Sequence, residues 1–246
     1  MNVSEILRTT RGNMQGKWSA AIGVVVMVAL ISMSVPNIIT PNLGAMEFWV
    51  NMLWLFLVSS PLAMGSMWFF LEMHDGREVE PRHVFDVFGD YGRVVGAVIW
   101  KYLLIFGWFL LLVIPGILAM IRYSQMEFLM KDDPTLTGQE AIRKSKAIMH
   151  GNKARYFGLY LRIFWPAILG IAIGVILMMD AVAGGHTIAG MIYIDPTQAN
   201  RAQLVSLASV VVLHLLNAYA NPAFSVFYRD LKSAKEEAWN NQTLQN

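Results

Sequence analysis

"VVGAVIWKYLLIFGWFLLLVIPGILAMIRYSQMEFLM", Val94 to Met130, carries only three formal charges, Lys101, Arg122 and Glu127. A single helix of that length would reach about 55 Å at about 1.5 Å per residue, against a hydrocarbon core of about 30 Å. The tract is therefore not one straight span. Ile114-Pro115-Gly116 lies past its middle. Proline cannot continue an intrahelical hydrogen-bond ladder, and it disfavours helix for the residue before it. The tract is either one long kinked helix or a hairpin turning at Pro115, and the choice sets the topology of everything around it.

The neighbouring tracts are membrane-like as well. Trp18 to Val35, Phe48 to Leu71 and Leu204 to Phe227 contain no Asp, Glu, Lys or Arg, and Tyr156 to Met179 contains only Arg162. The chain is 56% hydrophobic with a mean hydropathy of +0.47, above the roughly 45–50% of soluble domains. These tracts specify an integral membrane protein. Basic residues favour the cytoplasmic side of a membrane. With the N-terminus inside and the long tract folded as a hairpin, the inside segments hold Arg8, Arg11, Lys17, Arg77, Arg82, Arg93, the stretch from Lys131 to Arg155, and Arg229, Lys232 and Lys235; the outside keeps only Arg201. A single kinked span would put Lys131 to Arg155 outside. The counting selects the hairpin.

The expected fold is an all-α polytopic helix bundle, one domain over 1–246, with six membrane segments at about 18–35, 48–71, 94–114, 115–130, 156–179 and 204–227. Both termini are expected in the cytoplasm. The Pro115 turn is so apolar that the central hairpin either crosses fully or re-enters from one side. The first tract has a basic leader and a Ser-Met-Ser that mimic a signal peptide, but a matching basic segment precedes the fifth tract, where no signal stands.

That match is a repeat. Aligning "EILRTTRGNMQGKWSAAI" (Glu5 to Ile22) with "EAIRKSKAIMHGNKARYF" (Glu140 to Phe157) on Gly16 and Gly151 pairs Arg8 with Arg143, Arg11 with Lys146 and Met14 with Met149. Thr137 and Glu140 form a T-x-x-E capping box, and apolar residues recur at helical spacing from Ala141 to Met149. The glycines are natural helix stops. Each copy reads as an amphipathic helix, about 4–15 and 137–150, lying in the membrane interface, with Arg8, Arg11, Arg143, Lys144, Lys146, Lys153 and Arg155 as candidates for lipid headgroups, anionic ones especially. Ser60-Pro61 and Asn221-Pro222 echo each other in the hairpins that follow. Both copies start inside, so the repeat would be parallel. Phe88-Gly89 before Arg93 is a weaker third echo.

Trp100-Lys101, Ile114-Pro115-Gly116-Ile117, Asp132 to Pro134 and Met149 to Lys153 together resemble the bacterial membrane family called domain of unknown function 975. Ile163-Phe164-Trp165-Pro166 departs from the F-x-G-W-like stretch of that family. The resemblance implies a multi-span protein of the bacterial inner membrane and supplies no activity.

Ionisable groups inside spans are costly and are functional candidates for that reason. Lys101 and Glu127 lie almost equally far from Pro115, so a folded hairpin levels them as an ion pair. Lys101 and Arg162 also sit where they would snorkel to the interface. Arg122, near the depth of Gly107, has no evident carboxylate partner. The last span carries Ser206, Ser209, His214, Asn217 and Asn221 on one side. The stripe either lines a pathway or hydrogen-bonds between helices, and a dry interior contact for His214 is the expectation. Gly92-x-x-x-Gly96 and Gly170-x-x-x-Gly174 are close-packing signals. The stretch from Glu72 to Arg93 reads as a solvated loop with a short amphipathic turn, and its histidines match no metal spacing.

No Cys is present, which excludes disulfides, thiolate metal sites and Cys nucleophiles. Net charge is +2, so nucleic acid is not an expected partner. The chain has no H-E-x-x-H, nucleophile elbow, P-loop or G-x-G-x-x-G; no catalytic residue, metal ligand or cofactor is expected, and the protein is read as not an enzyme. A membrane scaffold, accessory or bilayer-sensing module, with span surfaces free for a protein partner or a second copy, is the leading expectation. The alternative is a small-solute, ion or lipid transporter or channel. A cavity reaching His214 would favour the alternative.

Overall fold

The computed structural model describes residues 1–39, 43–183, 186–188, 191–193 and 196–243. Long apolar tracts leave the backbone no hydrogen-bonding partner but itself in hydrocarbon, and helices result. They are α1 (Val3–Asn13), α2 (Trp18–Ile39), α3 (Met46–Trp54), α4 (Ser60–His74), α5 (Tyr91–Leu111), α6 (Val113–Tyr123), α7 (Met126–Asp132), α8 (Gly138–Ile148), α9 (Lys153–Ala183) and α10 (Pro196–Thr243). A π-helical turn, Leu55–Ser59, joins α3 to α4, and a 3₁₀ helix, Pro81–Asp90, runs into α5. The exception to the all-helical expectation is a small antiparallel hairpin, β1 (His186–Ile188) with β2 (Met191–Tyr193). Among the described residues, Met46–His74, Pro81–Leu111 and Lys153–Asp180 are long and apolar enough to cross a membrane; Val3–Asn13 with Trp18–Met33, bent by 101°, makes a fourth if taken as one span.

The tract from Val94 to Met130 does fold back on itself, but the turn is at Leu112 and not at Pro115. Leu112 is extended (φ −163°, ψ 151°) between α5 and α6. Pro115 is the third residue of α6, where its missing N–H belongs to the set a helix start leaves unpaired anyway. It opens the second helix and does not make the turn. The two helices then close tightly: a Cβ on Gly116 would lie 2.5 Å from the Phe109 ring. The fourth segment, expected as one run over 115–130, is two short helices, α6 and α7, separated at Ser124-Gln125. With 11 residues, α6 is about 16 Å long, roughly half a hydrocarbon core.

One expectation is met and another changes. The short amphipathic turn expected after His74 is present as the 3₁₀ helix. Val84 and Val87 of the 3₁₀ helix are buried, and its backbone presses on α4 so closely that a Cβ on Gly65 would meet the Val84 carbonyl oxygen at 2.1 Å. His83 caps that helix, its Nδ1 accepting from the Glu80 N–H at 3.1 Å. Second, α1 and α8 are amphipathic, but their apolar faces are spent on the protein. Ile6 and Leu7 are buried in a cluster with residues of α9 and α10; Ala141 and Ile142 are buried in a cluster with residues of α5, α6 and α7. Seating in lipid by those faces is therefore excluded, and only the opposite, polar faces remain outside.

α1 and α8 share more than composition. Each has 11 residues and a capping box, Asn2 with Glu5 and Thr137 with Glu140. Each ends at a Met, followed by a glycine in the left-handed region, Gly16 at φ 75° and Gly151 at φ 82°. The next long helix starts at Trp18 in one case and Lys153 in the other, so one constant offset relates cap, helix, turn and following helix.

The core lies toward the end of the bundle where α1, α7 and α8 gather. Tyr123, Phe128, Phe227 and Tyr228 are buried there. Ion pairs tie the same end together. Asp132 accepts from Tyr228 Oη at 2.8 Å, Arg229 Nη1 at 2.6 Å and Lys232 Nζ at 2.7 Å. Arg229 Nε also donates to Asp75 at 2.8 Å. Burial alone would raise the Asp132 carboxyl, but the hydrogen bonds from Arg229, Lys232 and Tyr228 outweigh it and hold the group below its ordinary range. Asp230 binds Arg155 and the Met1 amino group, each at 2.9 Å.

Candidate functional site: a polar cavity between the helices

Proline punctuates two helices at the same kind of place. Pro61 cannot donate to the Leu57 carbonyl four residues back. The chain answers with the π-turn at Leu55–Ser59, a device frequent at functional sites, and the Tyr91 hydroxyl donates to the Leu57 carbonyl at 2.7 Å. The turn brings Ser59 and Ser60 to the wall of a cavity of about 360 Å³. On α10, His214, Asn217 and Asn221 fall three and four residues apart, hence on one face, just before Pro222, and line the same cavity. α2 closes another side with Val25, Val28, Ala29 and Ser32.

The charged wall comes from the central hairpin. Lys101 of α5 forms an ion pair and hydrogen bond with Glu127 Oε1, as the hairpin implied. Glu127 stands in the first turn of α7, where the positive end of the helix dipole favours a carboxylate. Its carbonyl is fixed by Trp68 Nε1 at 2.8 Å. The Lys101 and Glu127 side chains are 16% and 10% exposed. Glu127 Oε2 is buried with no hydrogen-bond partner among the described residues. A buried carboxylate oxygen without a donor costs on the order of 1–3 kcal/mol.

Five of the intramembrane candidates thus converge: Lys101, Glu127, His214, Asn217 and Asn221. His214 is half-buried and borders the cavity. The Asn217 amide donates to its own helix, to the Leu213 carbonyl at 3.0 Å. The polar stripe on α10 divides in two. Ser209 bonds the Val205 carbonyl at 2.8 Å and packs on Gly170, where a Cβ would come within 2.6 Å of its Oγ. Helix packing accounts for it. The Ser206 side chain lies outside the described residues.

Arg122 and Arg162 do not join the site. Arg122 is half-buried in the last turn of α6, its carbonyl accepting from Ser145 Oγ at 2.7 Å. Arg162 reaches out to Ser4 Oγ of α1 at 3.0 Å, a snorkelling geometry. Gly92 and Gly96 face open space and make no close helix contact.

The headgroup candidates also separate. Arg8, Arg11, Arg143 and Lys144 are exposed. Among the described residues, Arg143 and Lys144 make long contacts, 3.9 Å to Glu140 and 3.4 Å to Asp133. Lys146 lies 5.3 Å over the Tyr123 ring, and Lys153 is half-buried. Arg155 is taken by Asp230 and stacks 5.0 Å from the Phe227 ring, so it serves the fold.

Ser32, Ser59, Ser60 and Tyr102 were not singled out as site residues by the sequence, yet all line the cavity. The adjacent serines before Pro61, inside an otherwise uncharged tract, were the available signal.

No curated protein and no solved structure matches this chain. The model of the family described as Protein of unknown function (DUF975) matches residues 93–235. That match takes in the Lys101–Glu127 pair and the α10 face, the Ile114–Ile117 start of α6 and the Met149–Lys153 helix stop, and it covers more than half of the chain, which belongs to the DUF975 family.

Proposed function

We propose that this is a non-enzymatic transport protein of the bacterial inner membrane, which takes up a small polar or ionic group in the cavity at Lys101, Glu127 and His214. One observation carries the reading: polar side chains from α4, α5, α7 and α10 surround a single space of about 360 Å³. A scaffold has no need to hold an ion pair, a histidine and two asparagines around a void, because each such group is costly inside a bilayer. The volume falls in the range of small-molecule sites. The repeat of α1–α2 in α8–α9 supports the reading as well, because parallel repeats recur in membrane transporters. The exposed Arg8, Arg11, Arg143 and Lys144 then face anionic headgroups at the cytoplasmic surface.

The chain contains no Cys, so single thiols test the reading directly. Ser60→Cys and Asn217→Cys should react with a charged, membrane-impermeant methanethiosulfonate in membrane vesicles. Val175→Cys, on a lipid-exposed face of α9, should not. Gln139→Cys should react from the cytoplasmic side alone. Absence of reaction at both cavity positions, with Gln139→Cys reacting normally, would refute a solvent-reachable site.

A further inference from the structure

We infer that the group bound in the cavity is the headgroup of a zwitterionic, ammonium-bearing phospholipid, which enters sideways from the bilayer between α3–α4 and α5. The inference rests on the cavity being a binding site, as proposed above, and names its substrate class.

A second concave space, of about 590 Å³, adjoins the cavity and is lined almost wholly by apolar side chains from the α3–π-turn segment and from α5. Tyr102 lines both spaces. Its ring meets the Phe56 ring edge-on, 5.7 Å apart at 78°, so this aromatic contact stands where the two spaces join. Around the π-turn the walls alternate: Leu55 and Ser59 face the polar cavity, and Leu53, Phe56 and Leu57 face the apolar groove. The groove opens to the surface, with Leu53, Leu103 and Phe106 each more than half exposed. On a membrane span that surface is acyl chain.

A polar chamber beside an apolar groove, with one aromatic contact between them, fits an amphiphile. A free solute would use the first and leave the second without purpose. The charges narrow the class. Lys101 offers an ammonium to a phosphate, and the Glu127 carboxylate paired with it gives the same cavity wall a negative charge for an ammonium. The pair is neutral overall, so a headgroup carrying both a phosphate and an ammonium matches it without leaving a net buried charge, which would be strongly disfavoured. The π-turn beside the Phe56–Tyr102 contact is the soft point at which that contact can part.

The test uses the full chain in nanodiscs containing phosphatidylethanolamine with a photoactivatable diazirine in its acyl chain, with the crosslinks mapped by mass spectrometry. Labelling is expected to concentrate in 53–57 and 99–109. Unlabelled phosphatidylethanolamine should compete at least fivefold better than phosphatidylglycerol, which lacks the ammonium. Leu103→Trp, which fills the groove without touching the cavity, should lower labelling at least fivefold and leave thiol reactivity at Ser60→Cys unchanged. Glu127→Gln should abolish the preference between the two lipids; the Leu103→Trp result stands independently if that variant does not fold. Equal labelling of the α9 face from Ile168 to Met179, or equal competition by both lipids, overturns the lipid assignment. If thiols at Ser60 and Asn217 react while the lipid preference is absent, the polar-solute reading survives without it. If neither is seen, both readings fall.

Discussion

Replacing Lys101 and Glu127 by methionine, singly and together, separates a structural ion pair from a functional one. Each side chain is at least 84% covered, since their exposures are 16% and 10%. Removing one partner leaves the other charge buried and uncompensated, a loss of about 3–5 kcal/mol. Glu127→Met is expected near the upper end of that range, because among the described residues Lys101 has no second carboxylate in the cavity wall. Removing both replaces the pair by apolar volume, and is expected to fall within about 1 kcal/mol of the parent or to be more stable. At roughly 2–4 °C per kcal/mol for a chain of this size, the single variants should melt about 6–20 °C lower and the double variant close to the parent. Tryptophan fluorescence during thermal unfolding in detergent reads this, with eight Trp residues as reporters. The double variant should refold the bundle but lose lipid preference and whatever transport the cavity supports. Single variants as stable as the parent would show that the pair is not formed, and with it the α5–α7 register would fail.

Three more outcomes follow from the packing. Gly65→Ala should cost about 1–3 kcal/mol or more, because its Cβ would sit 2.1 Å from a backbone oxygen of the 3₁₀ helix, whereas Gly96→Ala, with open space around it, should be neutral or stabilising by up to about 1 kcal/mol; equal melting temperatures would refute the 3₁₀–α4 contact. Gly16→Ala and Gly151→Ala should each destabilise by about 1 kcal/mol, since both glycines hold positive φ, and a large difference between them would contradict their equivalence. The depressed Asp132 carboxyl contributes stability that is present above the ordinary unfolded value of about 3.9 and is lost as pH falls through its lower folded value, so an acid melt series should flatten in Asp132→Asn; an unchanged acid limb would remove Asp132 from the network.

Arg155 and Lys146 show how position along the chain and position in space diverge. Both belong to a basic flank that sequence assigns to headgroups. One is held by Asp230, 75 residues away, and the other lies over the Tyr123 ring. Local pattern reports that a helix has an apolar face; it does not report whether lipid or protein covers it. For α1 and α8 protein does, and the helices fasten the ends of the long helices together at the ion-paired end of the bundle.

The chain by itself determined the helical class, the long apolar tracts, the fold-back of Val94 to Met130, the Lys101–Glu127 pair and the likeness of α1 to α8. These follow from local terms: uncharged runs must satisfy their backbone internally, capping boxes and left-handed glycines act within a few residues, and two charges on a hairpin meet if they are equidistant from its turn. Tertiary structure alone decided that the turn falls at Leu112, that α7 separates from α6, that the 3₁₀ helix is packed against Gly65, and that Ser59, Ser60, His214 and Asn221 share one cavity. Periodicity places these residues on faces of separate helices; which faces meet depends on close packing between helices distant in sequence, and one proline with its π-turn rotates a wall of the site by a fraction of a turn that no pattern in the sequence records.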